Sequence, residues 1–338
     1  SLSNSLGLLP PTTAVTDEDG RAEFPVLSAG SGYDLEISLG GYGTQRRLNL
    51  RVRIGPSERL VFQLSKPLME RVEVTDEESV VDLDRVGTSS KFSAEFIEGL
   101  PASGRFYQDI LDLAPGVSVN DEDGNPNVLG ARTRDFRMQV SGVSNVDPLT
   151  GKWLSRTNAD SIEDLEILTS GAGVEFGRAQ GGFGRIIQKQ GSNEFQGVFN
   201  LLYRTSELDG PGSIVLGTAA IAPEFETLEP ALQLAGPLIK DRLWYRFSHE
   251  YINHENPVNV LGRLEVLTRE QKVSADQITF QASPRNKLSF QYQYDPLIVD
   301  KLGLGSRVSA DSTYFLDRGG PTYTLTWTAP YSSRLLFN

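Results

Sequence analysis

The stretch SIEDLEILTSGAGVEFGRAQGGFGRIIQKQGSNEFQG, Ser161 to Gly197, decides how the rest of the chain is read. Two strand-like runs, Asp164 to Thr169 and Arg185 to Lys189, frame a glycine-dense crossover from Gly171 to Gly184. Glycine admits positive φ and close backbone approach, whereas a helix would lose about 1 kcal/mol at each one. The crossover therefore predicts a packing partner pressed against it. A dinucleotide-binding reading of Gly171-Ala-Gly173-Val-Glu-Phe-Gly177 fails on the same residues. That site needs a helix after its last glycine, and Gly181, Gly182 and Gly184 follow almost at once.

Composition bounds the function. The chain has 338 residues, 38% of them hydrophobic, with 32 basic against 44 acidic residues and a net charge of -12. This balance argues against nucleic acid as a partner, which needs a basic patch. With no cysteine, disulfides, thiolate nucleophiles and cysteine-zinc sites are excluded. The sequence opens at Ser1 without a basic segment followed by an apolar core, so a signal peptide is expected to be already gone. The longest apolar run, Ser213 to Pro223, falls short of the ~20 residues of a membrane helix. Any membrane crossing must use β-strands.

Residues 1–66 read as a small β-sandwich. Apolar residues alternate at Phe24/Val26, Tyr33/Leu35/Ile37/Leu39, Leu48/Leu50/Val52/Ile54 and Leu60/Phe62/Leu64. Asp17-Glu-Asp-Gly20 reads as a turn, because its glycine sits too early for a calcium loop. A short Val/Thr run at Val72 to Thr75, followed by acids, suits a strand that adds to a sheet edge. Helical spacing follows in Phe92 to Gly99 and in Arg105 to Val117, each stopped by Gly or Pro; Val128 to Val143 alternates as a strand pair.

Beyond Gly197 the strands lengthen. One face carries Phe199, Leu201 and Tyr203, then Tyr245, Phe247 and Tyr251, then Leu288, Phe290, Tyr292 and Tyr294, then Tyr323, Leu325 and Trp327; the other face is polar. Tight turns at Gly236 to Arg242 and Ser283 to Lys287 alternate with longer Gly/Pro/acid segments. Aromatic residues at the ends of apolar faces, with short turns on one side, indicate a membrane barrel. A soluble sandwich also alternates and is kept as the alternative, a secreted β-rich adhesion or binding protein. Residues 198–338 supply roughly eight strands of ~10 residues, against about 22 in plugged transporters, so an incomplete barrel is expected.

His249 and His254 lie five apart and fall on opposite faces of a strand, so they clamp no zinc. No G-x-S-x-G or Walker sequence is present. Transport or binding is expected rather than catalysis, with no cofactor and no metal.

From Glu98 to Gly197 the order of features is helix, Leu-Pro, helix, Pro-Gly-Val, Gly-Ala-Arg strand, Ser-Gly-Val turn, acidic strand, glycine crossover, strand. This order resembles the plug domain of TonB-dependent outer-membrane receptors. Ser141-Gly142 stands where Asp-Gly is usual in the family. Thr16 to Phe24 with Gly40-Gly-Tyr-Gly43 is similar to the transthyretin-like, carboxypeptidase-regulatory type of domain, which is expected here to lack its first strands.

The resemblance implies a mainly β chain in four parts: residues 1–66, the small sandwich; 67–80, a linker; 81–197, an α+β plug; 198–338, the first strands of an antiparallel transmembrane β-barrel. It implies that Val72, Glu73, Val74 and Thr75 form a TonB box that engages a TonB-type energy-transducing protein. It also implies ligand-binding plug loops carrying Arg132, Arg134, Asn145, Trp153 and Arg156. Their guanidinium groups can grip carboxylates or phosphates, and Trp153 can stack on a sugar or aromatic ring; pairing with acids of the barrel wall is the alternative. The implied surroundings are outer-membrane lipid, an external ligand (siderophore, glycan or peptide) and a periplasmic N-terminal extension. The glycine crossover is expected to lie against the barrel wall.

Overall fold

The computed structural model describes the chain except residues 8–10, 25–26, 54–58, 65–72, 76–86, 101–105, 120–124, 173–176, 178, 209–213, 216–217, 220–223, 261–262, 284–285, 333–334 and 338. The expected strand residues Val26 and Ile54, the expected box residue Val72 and most of Ser213 to Pro223 lie outside the described residues.

Near the N-terminus, β1 (Leu2–Asn4), β2 (Gly30–Ile37), β3 (Gln45–Val52) and β4 (Glu73–Thr75) form one sheet in that order. Leu2, Tyr33 and Leu50 are its buried core. Phe24 and residues 60–64 run outside strands, so among the described residues this part shows a single four-stranded sheet. Period-2 hydrophobicity marks half-buried chain, and Phe24 meets that condition by packing on the core from a loop. Asp17 to Arg21 is a turn: the Asp17 side chain accepts from the backbone N–H groups of Asp19 and Arg21.

The second unit begins at β5 (Thr88–Ser93). Ser93 caps α1 (Ala94–Gly99), and the second helix, α2, is short (Tyr107–Leu111). A two-stranded ribbon follows, β6 (Val117–Val119) with β7 (Pro126–Val128), then β8 (Arg137–Val140), β9 (Val143–Ser144), β10 (Ile162–Ser170) and β11 (Phe183–Gln188). The sheet order is β5-β10-β11-β8-β9, parallel only between β8 and β11. Between Val128 and Arg137 the chain makes a turn and a 3₁₀ helix, Thr133–Asp135, rather than continuous strand. At the β8–β9 hairpin Ser141 and Gly142 both have positive φ, 48° and 84°. Such a turn favours Asn/Asp-Gly; here Ser141 Oγ donates to Gln188 Oε1 at 3.2 Å. Side chains such as Leu111, Ile162, Leu165, Ile167 and Ile186 fill the core.

From residue 196 the strands form an antiparallel meander: β12 (Gln196–Thr205), β15 (Glu226–Ile239), β16 (Leu243–Val260), β17 (Arg263–Ser283), β18 (Asn286–Tyr294), β21 (Pro321–Ser332) and β22 (Leu335–Phe337). A small hairpin, β13 (Ile214–Val215) with β14 (Thr218–Ala219), stands in the segment before β15, and β19 (Leu297–Leu302) with β20 (Tyr314–Arg318) extends β17. The connections 240–242, 284–285 and 333–334 are short and share one end; the other end carries the long connections 206–225 and 295–320, together with the short β16–β17 connection at 261–262.

The faces of this sheet are inverted relative to a soluble core. Leu232 and Leu234, Phe247, Ile278 and Phe280, Phe290, and Leu325 face outward and are exposed, while Glu229, Gln233, Arg246, Ser248, Glu250, Gln271 and Gln277 are buried. A sandwich would bury the apolar set against a second sheet. Here the polar face is covered by the second unit: Asn200 donates to Asp160 Oδ2 at 3.0 Å, and Arg246 reaches the carbonyl of Asp160 at 3.4 Å. An apolar exterior with a polar, filled interior is the arrangement of a plugged membrane barrel.

The glycine crossover packs differently from expectation. A Cβ at Gly182 (φ +103°) would come within 2.9 Å of Val128, and one at Gly184 within 2.9 Å of Met138 and Phe136. The close partner is thus the plug's own β7 and β8, because β11 must nest beside β8 in parallel. The wall is touched later, at Gly191, whose Cβ would stand 2.4 Å from the carbonyl oxygen of Tyr245.

Candidate functional site

β11 runs toward β12 and the short-turn end, so the Phe183 end of the plug sheet faces the long-loop end. The parallel strand β8 starts at that same end, which places residues 131–136 there. The 145–156 loop joins them: Asn125 Nδ2 donates to the carbonyl of Gly151 at 3.2 Å, and Gly151 (φ +76°) lies against Arg134. Two loops singled out in the sequence therefore share one apical face.

They differ in character. Arg132 is exposed and pairs with Asp135 across the 3₁₀ turn, Nε to Oδ2 at 2.8 Å, which holds the Asp135 carboxyl below its usual range. Arg134 is exposed as well. Asn145, Trp153 and Arg156 are buried. Asn145 Nδ2 donates to Tyr107 Oη (3.3 Å) and to the carbonyl of Ser155 (2.8 Å), and its Oδ1 accepts from Ser155 N and Oγ. Trp153 lies edge-on to Phe106 at 5.4 Å, with the Arg318 guanidinium over its ring at 4.8 Å.

The Arg156 guanidinium sits 4.4 Å over the Phe106 ring, and its backbone N–H donates to Asp295 Oδ2 at 2.8 Å. Burial lowers its pKa, opposed by Glu250 and Glu229 of the wall and Asp109 of α2. Burial likewise raises the Asp109 carboxyl, with Arg156 opposing. Plug and wall thus meet in a charged seam: one plug cation faces two wall carboxylates, and Ser155 Oγ donates to Gln293 Oε1 at 3.3 Å. Sequence reading missed Asp109, Glu229, Glu250 and Arg318. The signal was a glutamate on the polar face of a membrane strand, where a carboxylate persists only with a partner.

At the opposite end, β4 contains Glu73, Val74 and Thr75, three of the four residues expected to form a box. It pairs in parallel with β3, Arg46↔Glu73, Arg47↔Val74 and Leu48↔Thr75. The expectation of a sheet-adding strand thus has a counterpart within the chain itself. The histidines fall as read: His249 contacts Ser274 and Asp276 on one face, and His254 contacts Glu229 on the other. Among the described residues no group of three His, Asp or Glu side chains is placed to hold a metal.

No known family profile matches the chain. It is 27% identical over 246 residues to the TonB-dependent transporter Oar of Myxococcus xanthus, covering 69% of this chain and 23% of that protein. Among solved structures, a mutant of the ferric enterobactin receptor PfeA of Pseudomonas aeruginosa, in complex with enterobactin, superposes with a TM-score of 0.54 at 18% identity, over 73% of this chain and 39% of that one. The siderophore receptor PirA of Acinetobacter baumannii gives 0.53 at 19% over 72% and 38%. The outer membrane transporter YddB of Escherichia coli gives 0.53 at 17% over 71% and 36%. The fold is a plug inside part of an outward-apolar barrel. In fold and in sequence the chain is thus similar to part of a TonB-dependent receptor. It spans about a quarter of the curated relative's length and under two fifths of these solved receptors.

Proposed function

We propose that the chain is the N-terminal part of an outer-membrane receptor that binds an external ligand and imports it with energy delivered by a TonB-type partner. The observation that carries this reading is the inverted burial of the meander around a separately cored plug, which suits lipid outside and a blocked passage inside. A soluble adhesion protein, the alternative, would leave the apolar faces of the strands without a partner. The long-loop end then faces outward, and the N-terminal sheet lies on the periplasmic side. The transthyretin-like character of residues 1–66 and the boundaries at 67–80, 81–197 and 198–338 belong to the same proposal.

In this reading Val72, Glu73, Val74 and Thr75 are the partner-binding box. Arg132 and Arg134, exposed at the apical face, meet the ligand directly, while Asn145, Trp153 and Arg156 set the shape of the face from beneath. The relatives' names point to siderophores, and two exposed guanidinium groups suit an anionic ligand, whether siderophore, glycan or peptide. Deleting residues 69–75 in the full-length protein tests the assignment: energised uptake is lost while ligand binding by cells is retained. In the same assay, Arg132→Ala with Arg134→Ala weakens binding. Undiminished uptake by the deletion would remove the box, and unaltered affinity would make the arginines structural.

A further inference from the structure

The barrel wall interrupts its own ladder where it meets the plug. β18 ends at Tyr294 and β19 begins at Leu297; β20 ends at Arg318 and β21 begins at Pro321. The two interruptions, Asp295-Pro296 and Gly319-Gly320, lie side by side, since Tyr294 pairs with Pro321 on one side of them and Leu297 with Arg318 on the other. Pro296 has no N–H to give to a ladder, and Gly319 turns with φ +92°. A Cβ at Gly319 would stand 2.4 Å from the carbonyl oxygen of Asp295, so the two segments are pressed together here.

Asp295 is buried at this break, and its two carboxylate oxygens serve different bodies. Oδ1 accepts from Gly320 N of the wall at 3.4 Å, and Oδ2 accepts from Arg156 N of the plug at 2.8 Å. The neighbours of the break reach the same plug segment. On the short-turn side Gln293 Oε1 accepts from Ser155 Oγ at 3.3 Å, and on the long-loop side the Arg318 guanidinium stands 4.8 Å over the Trp153 ring. Trp153, Ser155 and Arg156 are thus held from one point in the wall.

The held segment is the end of the 145–156 loop. Asn145 Oδ1 closes that loop by accepting from Ser155 N at 2.8 Å, and Gly151 near its tip lies against Arg134. On the wall side, Asp295 and Arg318 stand at the base of the β19–β20 hairpin, whose connection at 303–313 belongs to the long-loop end. One carboxylate therefore joins the base of a long-loop hairpin to the plug loop beside Arg134.

We infer that Asp295 is a positioning residue for the apical face: acting through the Arg156 backbone, it makes the 145–156 loop and the β19–β20 hairpin one body, so that plug and wall present their surfaces to a ligand together. The inference rests on the reading of this face as the ligand side in the preceding section. A charge-assisted hydrogen bond suits the task, being roughly twice as strong as a neutral one, and a buried site keeps water from competing for Oδ2. Gly319 is the second requirement. A side chain there would displace Asp295 from the wall side with no plug residue altered.

The test uses the full-length protein in a lipid bilayer, in a cysteine-free background and without ligand. Spin labels are attached through Leu149→Cys in the loop and Tyr314→Cys in the hairpin, both exposed positions. The otherwise unaltered protein should give one narrow distribution of label distances. Asp295→Ala should broaden it and quicken hydrogen exchange of the Arg156 amide about tenfold or more, as expected for a lost hydrogen bond to a charged group. Asp295→Asn, which keeps one acceptor oxygen where two are used, should fall between. Gly319→Ala should also quicken exchange at Arg156, whereas a role of Asp295 confined to the wall would leave that amide unmoved. Heat-modifiable gel migration shows that each variant has folded. An unbroadened distribution in Asp295→Ala, or an Arg156 amide indifferent to Gly319→Ala, would overturn the inference. Because no ligand is present, this outcome is separate from failure of the ligand-face assignment, which Arg132→Ala with Arg134→Ala reads.

Discussion

The plug sheet buries its large apolar side chains, in β10 with Asp164 and Glu166 beside them, whereas the barrel sheet turns its large apolar side chains out and buries polar ones. In β10 and β11 the residues hidden from solvent include Leu165, Ile167 and Ile186; in β15 to β17 they include Gln233, Arg246, Glu250 and Gln271, and the leucines and phenylalanines point out. The plug is a water-soluble core in miniature, stabilised by transferring apolar surface out of water. The barrel gains nothing from burying apolar groups against protein when lipid is equally apolar. Its interior is left to the polar groups that must meet the plug.

The contrast is broken most severely in the plug core. Ile167 is fully buried, and Ile167→Ala should cost about 2–5 kcal/mol in denaturant unfolding of the plug within the intact barrel. Leu325→Ala on the barrel exterior should cost far less in the same bilayer; equal losses would mean that Leu325 also faces protein. Next in size, Phe247→Arg should destabilise the inserted barrel by about 2–4 kcal/mol if its outer face lies at mid-depth, measured by folding titration into vesicles. A tolerated arginine would place that face outside the hydrocarbon.

The smallest effect concerns Glu163, at the plug's edge beneath the N-terminal sheet. Burial raises its carboxyl above the usual range, against the pull of Arg51 and Lys189. A carboxyl whose pKa is higher in the folded state favours folding most below its unfolded value. That contribution is lost as the pH rises through the folded value. Glu163→Gln, which keeps an acceptor for Arg51, should therefore raise the melting temperature slightly at neutral pH and leave it unchanged near pH 4. An identical shift at both pH values would show that the charge is not what burial opposes.

Much of the fold was legible because it rests on local rules. Ser93 capping a helix that ends at Gly99, the strands framing the glycine crossover and the turn at Ser141-Gly142 all follow from side-chain chemistry within a few residues. The site was legible only in part. Arg132 and Arg134 are exposed, as loop position suggests, but nothing local distinguishes them from Arg156, which lies buried over Phe106 because α2 and the barrel wall converge on it. The wall carboxylates Glu229 and Glu250 read as ordinary polar-face residues until their strands are placed around the plug.

The sequence by itself determined the alternation of the strands, the glycine-rich crossover and the exclusion of thiol and nucleotide chemistry, since each depends on residue type and short spacing. Only the tertiary structure decided which half of the alternation faces out, that the crossover glycines press on β7 and β8, and that Glu73 to Thr75 pair with β3. Those outcomes depend on pairings between residues tens of positions apart, and burial is a property of the surface a residue finally meets.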